Sequence, residues 1–187
     1  MTIILIGPMK VGKSTVARLL AAKLGIPRHP MDKNRWTYYQ EIGYDGEYAR
    51  RIAERESLEA ALEYCKPFEV HAVERHLAGK RDCVIDFGAG YSVQDDPALY
   101  KRVQRALEPY ANVVLLLPCP DEDQSIAYLD ERNGPALHDL NAHYIRHPAN
   151  RALAKALVYT IGKTPQETCD EILQTLGIDS QSCGQPE

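Results

Sequence analysis

The chain has 187 residues, 44% hydrophobic and 26% charged, with a formal net charge of −4. That length supports one domain with a true core, and the mildly negative charge gives no electrostatic footprint for nonspecific nucleic-acid binding. No apolar run approaches the ~20 residues that span a bilayer and no leader pattern opens the chain, so a cytoplasmic protein without membrane contact is expected.

Thr2 to Ile6 reads as a strand. Gly7, Pro8, Met9, Lys10, Val11, Gly12, Lys13 and Ser14 then meet the pattern G-x-x-x-x-G-K-[ST] in full. Val16, Leu19, Leu20 and Leu24 follow at helical spacing, which puts the loop between a strand and a helix. The first N–H groups of a helix lack intrahelical acceptors and carry partial positive charge, so an anion fits there. The glycines let the backbone curl around a phosphate, Lys13 reaches its outer oxygens, Ser14 holds Mg²⁺ and Thr15 supports the loop. The expected ligand is a nucleoside triphosphate with Mg²⁺.

The two prolines of "IPRHPMDKNRW" suggest a short second strand or turn that delivers Asp32, and helices are expected around 35–42, 46–64 and 67–77. "DCVIDF" (82–87) is a buried strand with "GAGYSV" at its carboxyl end, and a helix over 97–107 leads into the central strand "NVVLLLP" (112–118). The segment from Cys119 begins as a helix, and Asn133, Gly134 and Pro135 mark a loop. "ALVYT" supplies a last strand, and a last helix starts with Thr164 as cap, Pro165 and Glu167. Cys65, Cys83, Cys119, Cys169 and Cys183 show no C-x-x-C spacing and read as free thiols.

This alternation predicts a three-layer α/β/α fold on a five-stranded parallel sheet: one domain over 1–178, with a disordered tail at 179–187. Such sheets bind ligands at their carboxyl edge, so further site groups are sought in Asp32, in Asp86 with Gly88 to Gly90, and around Arg132.

Several motifs together resemble the shikimate kinase family of small P-loop kinases. They are "LIGPMKVGKSTVARLLAAKLGIP", "MD" at 31–32, "GEYARRIAE", "VIDFGAG", "DERNGP" and "YIRHPANRALA". The resemblance implies an ATP-dependent transfer to a hydroxyl of an anionic metabolite. It assigns Asp32 to the acceptor hydroxyl and Arg51 and Arg146 to its anionic group, with Glu54 orienting Arg51. Gly88 and Gly90 would line the acceptor site, and Arg132 would cover the transferring phosphate from a lid at about 130–145. Pro30 stands where the family has the first acid of a pair, Ala89 replaces the central glycine of its triplet, and the stretch between Glu54 and Asp82 is longer.

Phosphoryl transfer is mostly positioning and charge neutralisation, so few residues need unusual reactivity. Lys13 and Arg132 would hold the γ-phosphate, with Ser14 beside Mg²⁺ and Asp32 as the base or a metal neighbour. Asp86 is the alternative base or an outer-sphere holder of Mg²⁺. Trp36, Tyr38, Tyr39 and Tyr44 leave two other readings open. One is a kinase of a nucleoside, nucleotide or other aromatic hydroxyl compound, and the other a regulatory module that binds nucleotide with little turnover.

Overall fold

Apolar residues that run without a break along a strand require cover on both faces of the sheet. In the computed structural model, which describes residues 1–178, β1 (Ile3–Ile6), β2 (Arg28–Pro30), β3 (Val84–Asp86), β4 (Asn112–Leu117) and β5 (Ala156–Tyr159) form one parallel sheet. The order is β2-β3-β1-β4-β5, with β1 at the centre. Alternation divides the core. Ile3, Leu5, Val84, Val114 and Leu116 pack under α1 (Lys13–Leu24) and α9 (Pro165–Thr175). Ile4, Ile6, Ile85, Val113 and Leu115 pack on the other side, with α4 (Leu58–Leu77) and α5 (Pro97–Leu107). This is the three-layer arrangement expected from the sequence. The tail at 179–187 lies outside the described residues.

The middle of the chain divides its helices differently from the sequence expectation. After α2 (Arg35–Glu41), the helix expected over 46–64 stops as α3 (Gly46–Arg55), and α4 starts afresh and runs through Pro67. Ser57 sets that start, its hydroxyl accepting from the Ala60 N–H at 3.1 Å. Pro67 removes one helical hydrogen bond, yet Phe68, Val70, Val73 and Leu77 are buried around it, and their packing overrides the break.

The segment expected as a lid at about 130–145 is largely helical. α6 (Glu122–Asn133) continues to Gly134, a 3₁₀ turn covers Pro135–Leu137, and α7 (His138–Arg146) and α8 (Pro148–Leu153) lead to β5. Polar side chains pin α6 to α7: Asp130 accepts from His138 Nδ1 at 2.6 Å and from Asn141 Nδ2 at 2.8 Å, and Asn133 donates to Asn141 at 2.8 Å. The predicted cap of the last helix forms as a capping box between Thr164 and Glu167. Cys83, Cys119 and Cys169 are buried and Cys65 is half-buried, all as free thiols, and Cys183 lies outside the described residues. No described helix is long and apolar enough to cross a membrane.

Candidate active site at the carboxyl edge of the sheet

The phosphate loop is fixed by what lies beneath it. Gly7 has φ +133°, and a Cβ there would stand 2.3 Å from the Leu116 carbonyl oxygen, so no other residue fits between β1 and β4. Val11 is buried and anchors the loop, while Gly12 precedes the free N–H groups at the start of α1. Lys13 folds back over the loop and donates to the Gly7 and Pro8 carbonyls at 2.8 and 2.6 Å. Burial lowers its pKa to about 8, although the charges of Asp86 and Asp32 pull the other way. A cavity of about 550 Å³ opens above, lined by Lys10, Gly12, Lys13, Ser14, Thr15 and Arg132. Three cations and a helix N-terminus around one cavity suit a polyphosphate.

Lys10 and Arg132 also hold each other. Lys10 Nζ donates to the Arg132 carbonyl at 2.6 Å, and Arg132 Nη1 donates to the Lys10 carbonyl at 3.0 Å. The base of the expected lid is thereby latched to the phosphate loop. The Arg132 guanidinium also lies 4.7 Å above the Tyr128 ring.

Asp86 ends β3 on the face covered by α1, because period-two alternation points it the same way as Val84. Its carboxylate accepts from Ser14 Oγ at 2.8 Å and from Arg28 Nε and Nη2 at 2.8 and 2.7 Å. Arg28 comes from β2, and Pro30 stands opposite Asp86 in the parallel register. A proline at the first acid of the family pair is therefore matched by a carboxylate at the same level of the next strand. Oxygen donors suit Mg²⁺, and Ser14 with the 5% exposed Asp86 forms such a set.

On the β2 and β3 side, a second wall forms. Asp32 sits in the short turn Met31–Lys33 after β2. A Cβ at Gly88 would be 2.8 Å from the Tyr91 ring and 3.0 Å from Asp32 Oδ1, and one at Gly90 would be 2.7 Å from Glu69 Oε1. The two glycines therefore admit carboxylates close to the backbone. Lys66 Nζ pairs with Glu69 at 3.2 Å and donates to the Val93 carbonyl at 3.0 Å. Burial pushes the Glu69 carboxyl above its ordinary range, partly opposed by Lys66. The Tyr91 hydroxyl is buried with no partner in hydrogen-bonding geometry, although Tyr39 neighbours it.

The structure brings together Lys10, Lys13, Ser14, Asp86 and Arg132 on one side, and Asp32, Gly88 and Gly90 on the other. Arg51 and Arg146 make their contacts elsewhere. Arg51 is exposed on α3 with its guanidinium 5.9 Å from the Tyr48 ring. Glu54 pairs with Arg50 at 3.0 Å, not with Arg51. Arg146 donates to Asp123 on α6 at 2.7 Å.

The basic and acidic pair beside Gly90 is Lys66 with Glu69, which sequence reasoning passed over. A signal was present: Lys66 and Glu69 fall in line with Val70, Val73 and Leu77 on the apolar stripe of α4, where charges need a reason. Arg28 carried no such signal, since its role depends on strand register.

No protein-family model matches the sequence, and no curated relative matches it. Among solved structures, the chain is similar to a shikimate kinase from Acinetobacter baumannii in complex with shikimate. That likeness has 21% identity and a TM-score of 0.64, covering 98% of this chain and 95% of that one. It is also similar to the shikimate kinase of Aquifex aeolicus (25% identity, TM-score 0.54, 95% and 96% covered). A gluconokinase from Sinorhizobium meliloti is a further likeness (15%, 0.56, 94% and 91%). Likeness at this level carries architecture, and the chain is built on the fold of the shikimate kinases and their small P-loop kinase relatives.

Proposed function

We propose that the chain is an ATP-dependent small-molecule kinase that transfers the γ-phosphoryl group to a hydroxyl of an anionic metabolite. The supporting observation is the adjacency of the two walls. The cavity cradled by Lys10, Lys13 and Arg132 adjoins, through Asp86 and Gly88, the carboxylate of Asp32. Lys13 would exchange its bonds to the Gly7 and Pro8 carbonyls for phosphate oxygens, and Arg132 would meet the transferring group from α6. Ser14 and Asp86 would hold Mg²⁺, which would neutralise phosphate charge when bound. Asp32, 60% exposed, would orient the acceptor hydroxyl and take its proton. To act on the acceptor, Arg51 and Arg146 would first have to leave Tyr48 and Asp123.

The half-exposed Trp36, tilted 38° against Tyr44 at 5.5 Å, supports a second reading in which the acceptor is a flat ring such as a nucleoside. Incubation with γ-labelled ATP and separate pools of hydroxy acids and nucleosides tests both. Label in a hydroxy acid is expected, reduced at least 100-fold in Lys13→Ala. Label in nucleosides alone would select the second reading. Tight ATP binding with no transfer to either pool would leave the regulatory module.

A further inference from the structure

Of the cations considered so far, Arg146 is spent on Asp123 and Lys66 on Glu69, while Arg51 lies against Tyr48 on α3 and makes no ion pair with Asp32. Arg35 differs. It opens α2, three residues after Asp32, and its Nη1 lies 3.8 Å from Asp32 Oδ1. That is an ion-pair distance without a hydrogen bond. None of the guanidinium's five N–H donors bonds to a described residue. The group is nevertheless held in place, with Cζ 4.4 Å above the Trp36 ring, where the π-face fixes a cation without using its donors. The Asp32 oxygen it faces is the one that would stand 3.0 Å from a Cβ at Gly88, which places the guanidinium on the same wall as Gly88. With its side chain 41% exposed, it is open to a ligand.

Charge balance makes the same point. An anionic acceptor approaching Asp32 meets a carboxylate of its own sign, and only a cation at that carboxylate offsets the repulsion. A planar guanidinium with unused parallel donors recognises a carboxylate bidentately, which the compact ammonium of Lys66, spent on Glu69 and Val93, does not.

We propose that Arg35 reads the acceptor's carboxylate, so that one turn of chain supplies both recognition elements. Asp32 takes the hydroxyl to be phosphorylated, and Arg35 takes the acid group beside it. The acceptor is then a polyhydroxylated carboxylate. This inference rests on the acceptor site proposed above and concerns which side chain selects for the acid.

Trp36 is the only tryptophan in the chain and lies under the guanidinium, so its emission reports engagement of Arg35 without ATP or turnover. The full-length protein is titrated with shikimate and with gluconate, and with methyl shikimate and glucose as neutral counterparts. Calorimetry runs in parallel, because Arg35→Ala also alters the tryptophan's baseline. The expected result is a saturable response to the acids and at least a tenfold weaker response to the neutral analogues. Arg35→Ala should weaken acid binding at least tenfold, Arg35→Lys should recover part of it, and the affinity for ADP should stay within twofold.

Three outcomes overturn the proposal. They are equal binding of acids and neutral analogues, acid binding lost in Arg51→Ala or Arg146→Ala but kept in Arg35→Ala, and no saturable response up to 50 mM. Phosphoryl transfer is assayed separately, so failure of the kinase reading shows as absent label transfer while this binding result stands by itself.

Discussion

Asp86 is the most heavily bonded acid of the site, and its partners are unequal. Arg28 holds it with two hydrogen bonds and Ser14 with one, while its side chain is 5% exposed and that of Arg28 is 26% exposed. Removing Arg28 strands a buried carboxylate, whereas removing Asp86 leaves a guanidinium with a path to water. Arg28→Met should therefore cost about 1–3 kcal/mol, a fall in Tm of about 3–9 °C for a chain of this size. Asp86→Asn, which keeps a polar partner for Ser14, should lower Tm less and weaken Mg²⁺-dependent ATP binding more. Thermal melts with calorimetric titration of ATP in the presence and absence of Mg²⁺ check both. Arg28→Met melting like the unchanged protein would show that Asp86 does not need its cation.

At the scale of elements, α4 carries the clearest conflict between local and tertiary preference. Pro67 is exposed in its interior, without an N–H to offer the carbonyl of Glu63. Pro67→Ala restores that bond and should raise stability by about 1–3 kcal/mol, measured as a higher denaturant midpoint with an unchanged slope.

The same helix shows why part of the molecule was illegible in the sequence. The phosphate loop, β4 and the Thr164 cap were read correctly because each is a local signal: a loop pattern, a continuous apolar run, a capping box. The break at 56–57 was missed because Pro67 looked the stronger punctuation than Ser57, and only packing of Phe68 and Val70 decides otherwise. α7 was not anticipated as a helix because polar residues such as Asp130, His138 and Asn141 bond across a helix pair, a pattern periodicity does not reveal. Arg51 was favoured over Lys66 for its fit to a motif, although only the latter lies on a buried stripe.

Across the whole molecule, the central position of β1 puts the proposed nucleotide side toward β4 and the proposed acceptor side toward β3 and β2. The latch of Lys10 and Arg132 ties the first of these to α6, which continues into the clamped pair of α6 and α7. Both latch residues line the phosphate cavity, so a polyphosphate would compete for their side chains. A nonhydrolysable ATP analogue should therefore change hydrogen exchange over residues 130–145, and Lys10→Met should speed exchange in the last turn of α6 without nucleotide. Unchanged exchange in both experiments would show that the segment is fixed independently of the loop.

The rung that joins Pro30 to Asp86 has a wider implication. Neighbouring parallel strands reach the same depth of a crevice, so a charge can be traded sideways from one to the next while staying at the same level of the sheet edge. Aligned column by column, such a protein lacks one acid of the pair; superposed in space, it has a carboxylate at the same level of the next strand. Relatives that have made this exchange would be recognised by looking across the sheet, at paired positions of two strands, before a missing aspartate is taken to mean a dead enzyme.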